Sequence, residues 1–303
     1  DAGNDMYKLF LDESMMYSCA IHHEGETLYQ AQMNKLDAII KQAGIQASDH
    51  VLEIGCGWGG FAIRAAATTG CRVTGITISK EQLAEATARV KAAGLDDRVN
   101  LMFCDYRDLP GKGTFDKVVS IEMIEAVGHE HLVPYFGVIG QMLKTGGKAV
   151  LQAISVPDDR YEAYCNCGDF IREHIFPGGH LPCVGAMVEA ARGTGLVLDE
   201  TNDIGPHYAV TLREWRKAWE QKREQVLALG YSDRFWRKYH FYFVYCEAGF
   251  DFRYIHNFHV TWTKAQPRAA EHGVSDAIRS VVQSEMPHDA FTQVLLAAYF
   301  FLS

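Results

Sequence analysis

The stretch of this 303-residue chain best suited to chemistry is Val51-Leu52-Glu53-Ile54-Gly55-Cys56-Gly57-Trp58-Gly59-Gly60. An apolar strand there runs into glycines, which turn sharply and let a ligand approach the backbone closely. Gly55, Gly57 and Gly60 fit dinucleotide-loop spacing, but that pattern alone is weak. An NAD site wants a carboxylate about 20 residues on, at the end of the second strand, for the ribose hydroxyls. Here that place reads Gly75-Ile76-Thr77-Ile78-Ser79, with no carboxylate. Glu53 lies instead inside the first strand, two residues before Gly55, which favours a ligand-binding turn over a purely structural one. Asp105-Tyr106 follows another apolar run and reads either as a ligand contact or as a solvated loop. Glu125 stands shortly after a third run, Asp116–Ile121. It is either a helix cap or a functional group, and a carboxylate at the end of a buried strand is costly unless used. Tyr208 reads equally as a core tyrosine, and Cys19 and Cys246 as packing residues.

Strand-like runs alternate with helical stretches from residue 27 to 204, which predicts βαβ units and a mostly parallel sheet. Helices are expected over 27–43, Gly59–Thr68, 80–93 and Leu132–Leu143, the third capped by Ser79 with Gln82 completing a capping box. Strands are expected at His50–Ile54, Cys71–Ile76, Val99–Phe103, Asp116–Ile121, Lys148–Ile154 and His256–Thr263. Residues 157–183, polar, aromatic and punctuated by Gly and Pro, read as an insertion or lid. Residues 211–249 read as helical and aromatic, 265–290 as a tail, and Ala290–Leu302 as a short apolar segment.

The net charge of −9 argues against non-specific nucleic-acid binding. The eight cysteines are scattered without a CxxC pair, so no zinc site is expected. His22, His23, His129 and His131 lack carboxylate partners and read as surface or structural histidines, so no metal is assigned. Scattered free cysteines suit a reducing, intracellular setting. No run of about 18 apolar residues could span a bilayer. The chain begins DAGNDMYKLF and reads as a piece of a longer polypeptide. In Leu212–Glu224, Arg213, Arg216, Lys217, Lys222 and Arg223 stand beside two tryptophans, a composition shared by interfacial surfaces and by solvated helices with Trp in the core.

The ExGxG order at Glu53–Gly57 resembles S-adenosylmethionine (SAM) methyltransferases. From Asp1 to about Thr263 the chain resembles one family among them, the cyclopropane fatty acid synthases and related mycolic acid cyclopropane synthases. The resemblance rests on an ordered set of motifs: Met16-Tyr17-Ser18-Cys19-Ala20; Glu53 to Gly60; Gly75 to Ser79 with Gln82; Asp105-Tyr106-Arg107-Asp108-Leu109; Met123-Ile124-Glu125-Ala126-Val127-Gly128-His129; Ile175-Phe176-Pro177-Gly178-Gly179 with Leu181-Pro182; Tyr208 before Thr211-Leu212; and Cys246 with Ala248-Gly249-Phe250.

This resemblance implies an α/β, Rossmann-like class I SAM-dependent methyltransferase fold, a mostly parallel seven-stranded sheet with an inserted helical lid or cap. It implies a methyltransferase domain over 1–264, with an acyl-binding insertion around 157–250 and a C-terminal tail at 265–303. The implied reaction moves the SAM methyl onto the cis double bond of an unsaturated phospholipid acyl chain. A base, bicarbonate in relatives, then deprotonates the carbocation to a cyclopropane. Tyr17, Ser18, Glu53, Gly55, Gly57, Gly59, Thr77, Gln82, Asp105 and Tyr106 would line SAM. Glu125 would orient the base, Tyr208 would touch the bicarbonate or the cation, and Cys19 would contribute near its backbone. Many bacterial members place a histidine where this chain has Gln152, which can donate a hydrogen bond but cannot become cationic. The implied location is cytoplasmic and peripheral to a membrane surface, with a homodimer left open. An amine N-methyltransferase of the same lineage is the alternative.

Overall fold

The computed structural model describes residues 3–265, so the tail expected at 265–303, with its apolar segment, lies outside the described residues apart from residue 265. The elements run α1 (Asn4–Tyr7), α2 (Leu28–Ala43), β1 (His50–Ile54), α3 (Gly60–Thr69), β2 (Arg72–Thr77), α4 (Lys80–Ala92), β3 (Val99–Phe103), β4 (Phe115–Ile121), α5 (Leu132–Met142) and β5 (Leu143–Ser155). Then follow α6 (Tyr161–Asn166), α7 (Val184–Ala190), β6 (Leu196–Asp203), α8 (Gly205–Gln221), α9 (Arg223–Ala228), α10 (Asp233–Asp251) and β7 (His256–Lys264).

The seven strands form one sheet in the order β3-β2-β1-β4-β5-β7-β6. Neighbours from β3 to β5 are parallel, and β7 runs antiparallel to both β5 and β6. The apolar central strands are covered on both faces, as parallel strands require. On one face Leu36 and Ile39 of α2, Phe61 and Ala65 of α3 and Val90 of α4 pack on Val51, Val73 and Val119. On the other, Tyr135, Phe136 and Ile139 of α5 and Met187 of α7 pack on Leu52, Val118 and Leu151. A third core, rich in aromatics, joins the N-terminal segment to the helical cap: Phe10, Trp215, Trp219, Tyr239 and Phe243 are buried together.

Local rules explain most boundaries. Thr27 and Gln30 form a reciprocal capping box on α2, and Gly44 ends that helix in a left-handed conformation. Ser79 caps α4 by accepting the Gln82 N–H, but the Gln82 side chain does not complete the expected box; it accepts a bond from the Thr77 hydroxyl. β5 starts at Leu143, earlier than the Lys148 expected, and runs through Gly146 and Gly147. The aromatic region 211–249 is helical as expected, divided into three helices, the first starting as early as Gly205. β6 was not foreseen as a strand: it is the sheet's edge, and its sequence LVLDETND is mostly polar and exposed.

Candidate active site

The chain leaves β1 into α3 on one face of the sheet and leaves β4 toward α5 on the other. Adjacent strands whose connections diverge open a crevice beyond their C-terminal ends. A cleft of about 450 Å³ lies there. The glycine turn after β1 forms one wall. Gly55 has φ +83°, and a Cβ on it would stand 2.6 Å from the Met123 side chain. Gly57 has φ +50°, and a Cβ there would meet nothing within 4 Å, so this backbone is open to the cleft. Gly59, expected to line a ligand, is not among the lining residues; it caps α3 in a left-handed conformation and lies against Ala86 of α4.

The other residues assigned to SAM all line this cleft: Tyr17, Ser18, Glu53, Gly55, Gly57, Thr77, Gln82, Asp105 and Tyr106. Glu53 is buried with Oε2 unpartnered, and burial pushes its carboxyl well above the usual range. The Thr77 hydroxyl occupies Gln82 Oε1 at 3.0 Å, which leaves the amide NH2 as the end able to donate. Asp105 caps the turn after β3 and holds Arg107 through two side-chain bonds of 2.9 and 2.6 Å, which lower its pKa. Tyr106 stands edge-on to buried Tyr135. Tyr17 donates to the Tyr242 hydroxyl at 3.1 Å. Ser18 Oγ accepts 2.6 Å from the ammonium of Lys35, a lysine with no exposed surface. Burial lowers the pKa of Lys35 to about 8, against the opposing pull of Glu122.

At the inner end of the cleft stands a carboxylate that sequence reasoning missed. Glu122 follows β4 directly and lines the cleft. Its Oε1 accepts from the Cys19 N–H (2.9 Å), Gln152 Nε2 (2.8 Å) and Asn257 Nδ2 (2.6 Å), and its Oε2 from the Tyr208 hydroxyl (2.6 Å). Cys19, Gln152 and Tyr208 are therefore brought together, but around Glu122. Cys19 takes part through its backbone; its thiol is buried near backbone carbonyls, and burial raises its pKa well above normal. Gln152 Oε1 meets His259 Nε2 at 3.0 Å, and burial lowers the His259 pKa to about 3, so the neutral ring donates there.

Glu125 is not part of this cluster. It sits in a single 3-10 turn, Ile124–Ala126, and its Oε1 accepts the Ile154 N–H of β5 at 2.6 Å. Its Oε2 is buried without a partner. Burial and the nearby Glu122 push its pKa up to about 8. The rule that a carboxylate at the end of a buried strand must be used applies more directly to Glu122, which adjoins Ile121, than to Glu125. Of the histidines, His129 joins Cys165 and His180 in a group whose ligand atoms lie within 4.8 Å of one another. Both imidazoles already bond the Tyr161 hydroxyl, at 2.9 and 2.8 Å.

The mycolic acid cyclopropane synthetase family matches residues 1–260. The chain belongs to this family. It is 40% identical over 276 residues to the tuberculostearic acid methyltransferase UfaA1 of Mycobacterium tuberculosis, covering 88% of this chain and 64% of that protein. It is 34% identical over 278 residues to the cyclopropane-fatty-acyl-phospholipid synthase of Escherichia coli K12, covering 90% and 68%. The solved mycolic acid cyclopropane synthase CmaA1, complexed with SAH and CTAB, superposes with TM-score 0.80 at 29% identity, over 86% of this chain and 94% of that one. The fold is thus the class I SAM methyltransferase fold, a mixed, mostly parallel sheet with β7 reversed. The chain spans about half to two thirds of the length of the curated relatives it matches.

Proposed function

We propose that this family member transfers the methyl carbon of SAM to the cis double bond of an unsaturated phospholipid acyl chain and yields a cyclopropane. One observation carries the reading: the glycine turn and a buried carboxylate ringed by four donors, Glu122, line one cleft, so a methyl donor would sit beside a built anionic centre. The residues present fit SAM. Glu53 offers a buried, unpartnered oxygen, Gly57 an open backbone, and Gln82 an amide donor. When bound, SAM supplies a methyl group activated by its sulfonium.

The chain's own residues would do the rest. An alkene is a weak nucleophile and has to be held close to the methyl in a fixed orientation. The carbocation that follows has to be kept from water. Tyr17 lines the cleft and packs on Phe176 and Trp215 with centroids 6.3 and 5.3 Å apart, and Phe176 packs on Tyr242 at 5.8 Å; aromatic faces of this kind would stabilise positive charge. The insertion over 157–250 would seat the acyl chain. It carries exposed Phe241, Val244 and Tyr245 on the same helix as Lys238, a composition suited to a phospholipid surface. Among the described residues no helix is long and apolar enough to cross a membrane.

A second reading differs only in which proton the cation loses: a methylene or a methyl-branched alkene in place of the ring. The 40% identity to a protein named for tuberculostearic acid methylation favours keeping it. The amine N-methyltransferase alternative gives the Glu122 cluster no task. The test is incubation with labelled SAM and vesicles of mono-unsaturated phospholipid. Gain of one CH2 with loss of the double bond and a ring signal by NMR is the expected result. A retained olefinic or branched-methyl signal selects the second reading. Label passing to an amine and to no lipid overturns both.

A further inference from the structure

The base implied by the family resemblance is a bound bicarbonate, and the donors that would hold it are already taken. The Cys19 N–H, the Gln152 amide and the Tyr208 hydroxyl all point at the Glu122 carboxylate, with Asn257 as a fourth donor. All four contacts are donors, the surroundings an acceptor-only carboxylate needs. A separate anion among them would find no free donor and would sit against a like charge.

We propose that Glu122 is the proton-accepting group of this enzyme, a carboxylate built into the chain in place of a diffusible anion. The proposal deepens the reading of alkene alkylation and rests on it. Three features support it. Glu122 is one of the few non-glycine residues here with positive φ, +48°. Such a conformation is unfavourable for an L-residue, and backbone strain of this kind gathers where a side chain must be aimed. Next, the donors are unevenly shared: Oε1 takes three and Oε2 only the Tyr208 hydroxyl, so a lone pair on Oε2 remains for a proton. Finally, Glu122 lines the cleft, whereas Gln152, Asn257 and Tyr208 stand behind it and hold it.

The step balances without another reagent. Once the methyl has joined one alkene carbon, the neighbouring carbon is electron-deficient. Glu122 Oε2 takes a proton from the added methyl, and the released C–H electron pair forms the carbon–carbon bond that closes the ring. The carboxylic acid returns its proton to water when products leave. Gln152, Asn257, Tyr208 and the Cys19 N–H are positioning groups.

The experiment compares wild type, Glu122→Gln and Glu122→Gly. Glycine tolerates positive φ, so the Gly variant keeps the turn. With S-adenosylhomocysteine bound, each protein is titrated with [13C]bicarbonate and followed by NMR line broadening, a readout independent of turnover. Wild type is expected to show no saturable binding and Glu122→Gly to show it. On oleoyl phospholipid vesicles in CO2-depleted buffer, wild-type turnover is expected to match that with added bicarbonate. Glu122→Gln is expected to lose about 10²–10⁴-fold in turnover while its affinity for S-adenosylhomocysteine holds. Saturable bicarbonate binding by the wild type, bicarbonate-dependent turnover, or an active Glu122→Gln overturns the proposal. A wild type that alkylates no lipid counts against the lipid reading, while the NMR comparison still decides the place of Glu122.

Discussion

Tyr208 reaches the functional centre through a single bond, its hydroxyl to Glu122 Oε2, in otherwise aromatic surroundings that include Phe250 at 4.5 Å between centroids. Tyr208→Phe keeps the ring and removes the donor. It is expected to lower turnover about 10²-fold or more with little change in affinity for S-adenosylhomocysteine, checked by separating kcat from binding. Glu125 should reveal itself in stability. Its pKa in the folded protein is raised to about 8 from an ordinary 4.5. The folded state therefore holds a proton that the unfolded chain has lost, and the contribution is full below pH 4.5 and lost as pH rises through 8. Wild-type Tm should fall across that window relative to Glu125→Gln, whose amide cannot ionise; a pH series of melting curves checks it. Lys35, lowered to about 8, acts in the opposite sense and above that window, its favourable part being lost as pH falls from 10.5 toward 8.

The caps and glycine turns that position the site carry measurable energies. Thr27→Ala removes the arm of the α2 capping box in which the Thr27 hydroxyl accepts the Gln30 N–H and leaves the Gln30 side-chain bond to the Thr27 backbone N–H; α2 is the helix that delivers Lys35 to the Ser18 hydroxyl and Gln32 to the Ser18 carbonyl. About 1 kcal/mol of stability should be lost, or ~2–4 °C in Tm for a domain of this size. Gly55→Ala forces a Cβ to 2.6 Å from Met123 at φ +83°; a loss of at least ~1 kcal/mol is expected, with weaker S-adenosylhomocysteine binding by calorimetry. At this scale the sequence was most legible. β1 and β3 fall where periodicity puts them because their runs are apolar and bounded by turn residues, and α2 is bracketed by Thr27 and Gly44. β6 was illegible because an edge strand paired only to β7 can be polar throughout. The glycine-turn wall of the cleft was readable because its glycines and Glu53 are contiguous in the chain. The Glu122 cluster was not, because its members come from Cys19, Gln152, Tyr208 and Asn257, residues far apart in sequence that only sheet register and the cap bring together.

Among the described residues, a buried aromatic core packs the N-terminal segment and the helical cap beside the sheet. The third core buries Trp215, Trp219 and Phe243 completely and ties the N-terminal segment carrying Tyr17–Cys19 to the cap carrying Tyr208. On the proposed reading, that construction would let one molecule hold a polar methyl donor on one side and a hydrocarbon on the other. The most direct measurement of this arrangement feeds the protein SAM bearing a CD3 group together with dioleoyl phospholipid vesicles, and weighs the released acyl chains by mass spectrometry. Wild type should add a CD2 unit, one deuterium having left to Glu122, and Glu122→Gln should add it about 10²–10⁴-fold more slowly. Chains that keep all three deuteriums, or a Glu122→Gln protein that builds the same CD2 product at the wild-type rate, would contradict it.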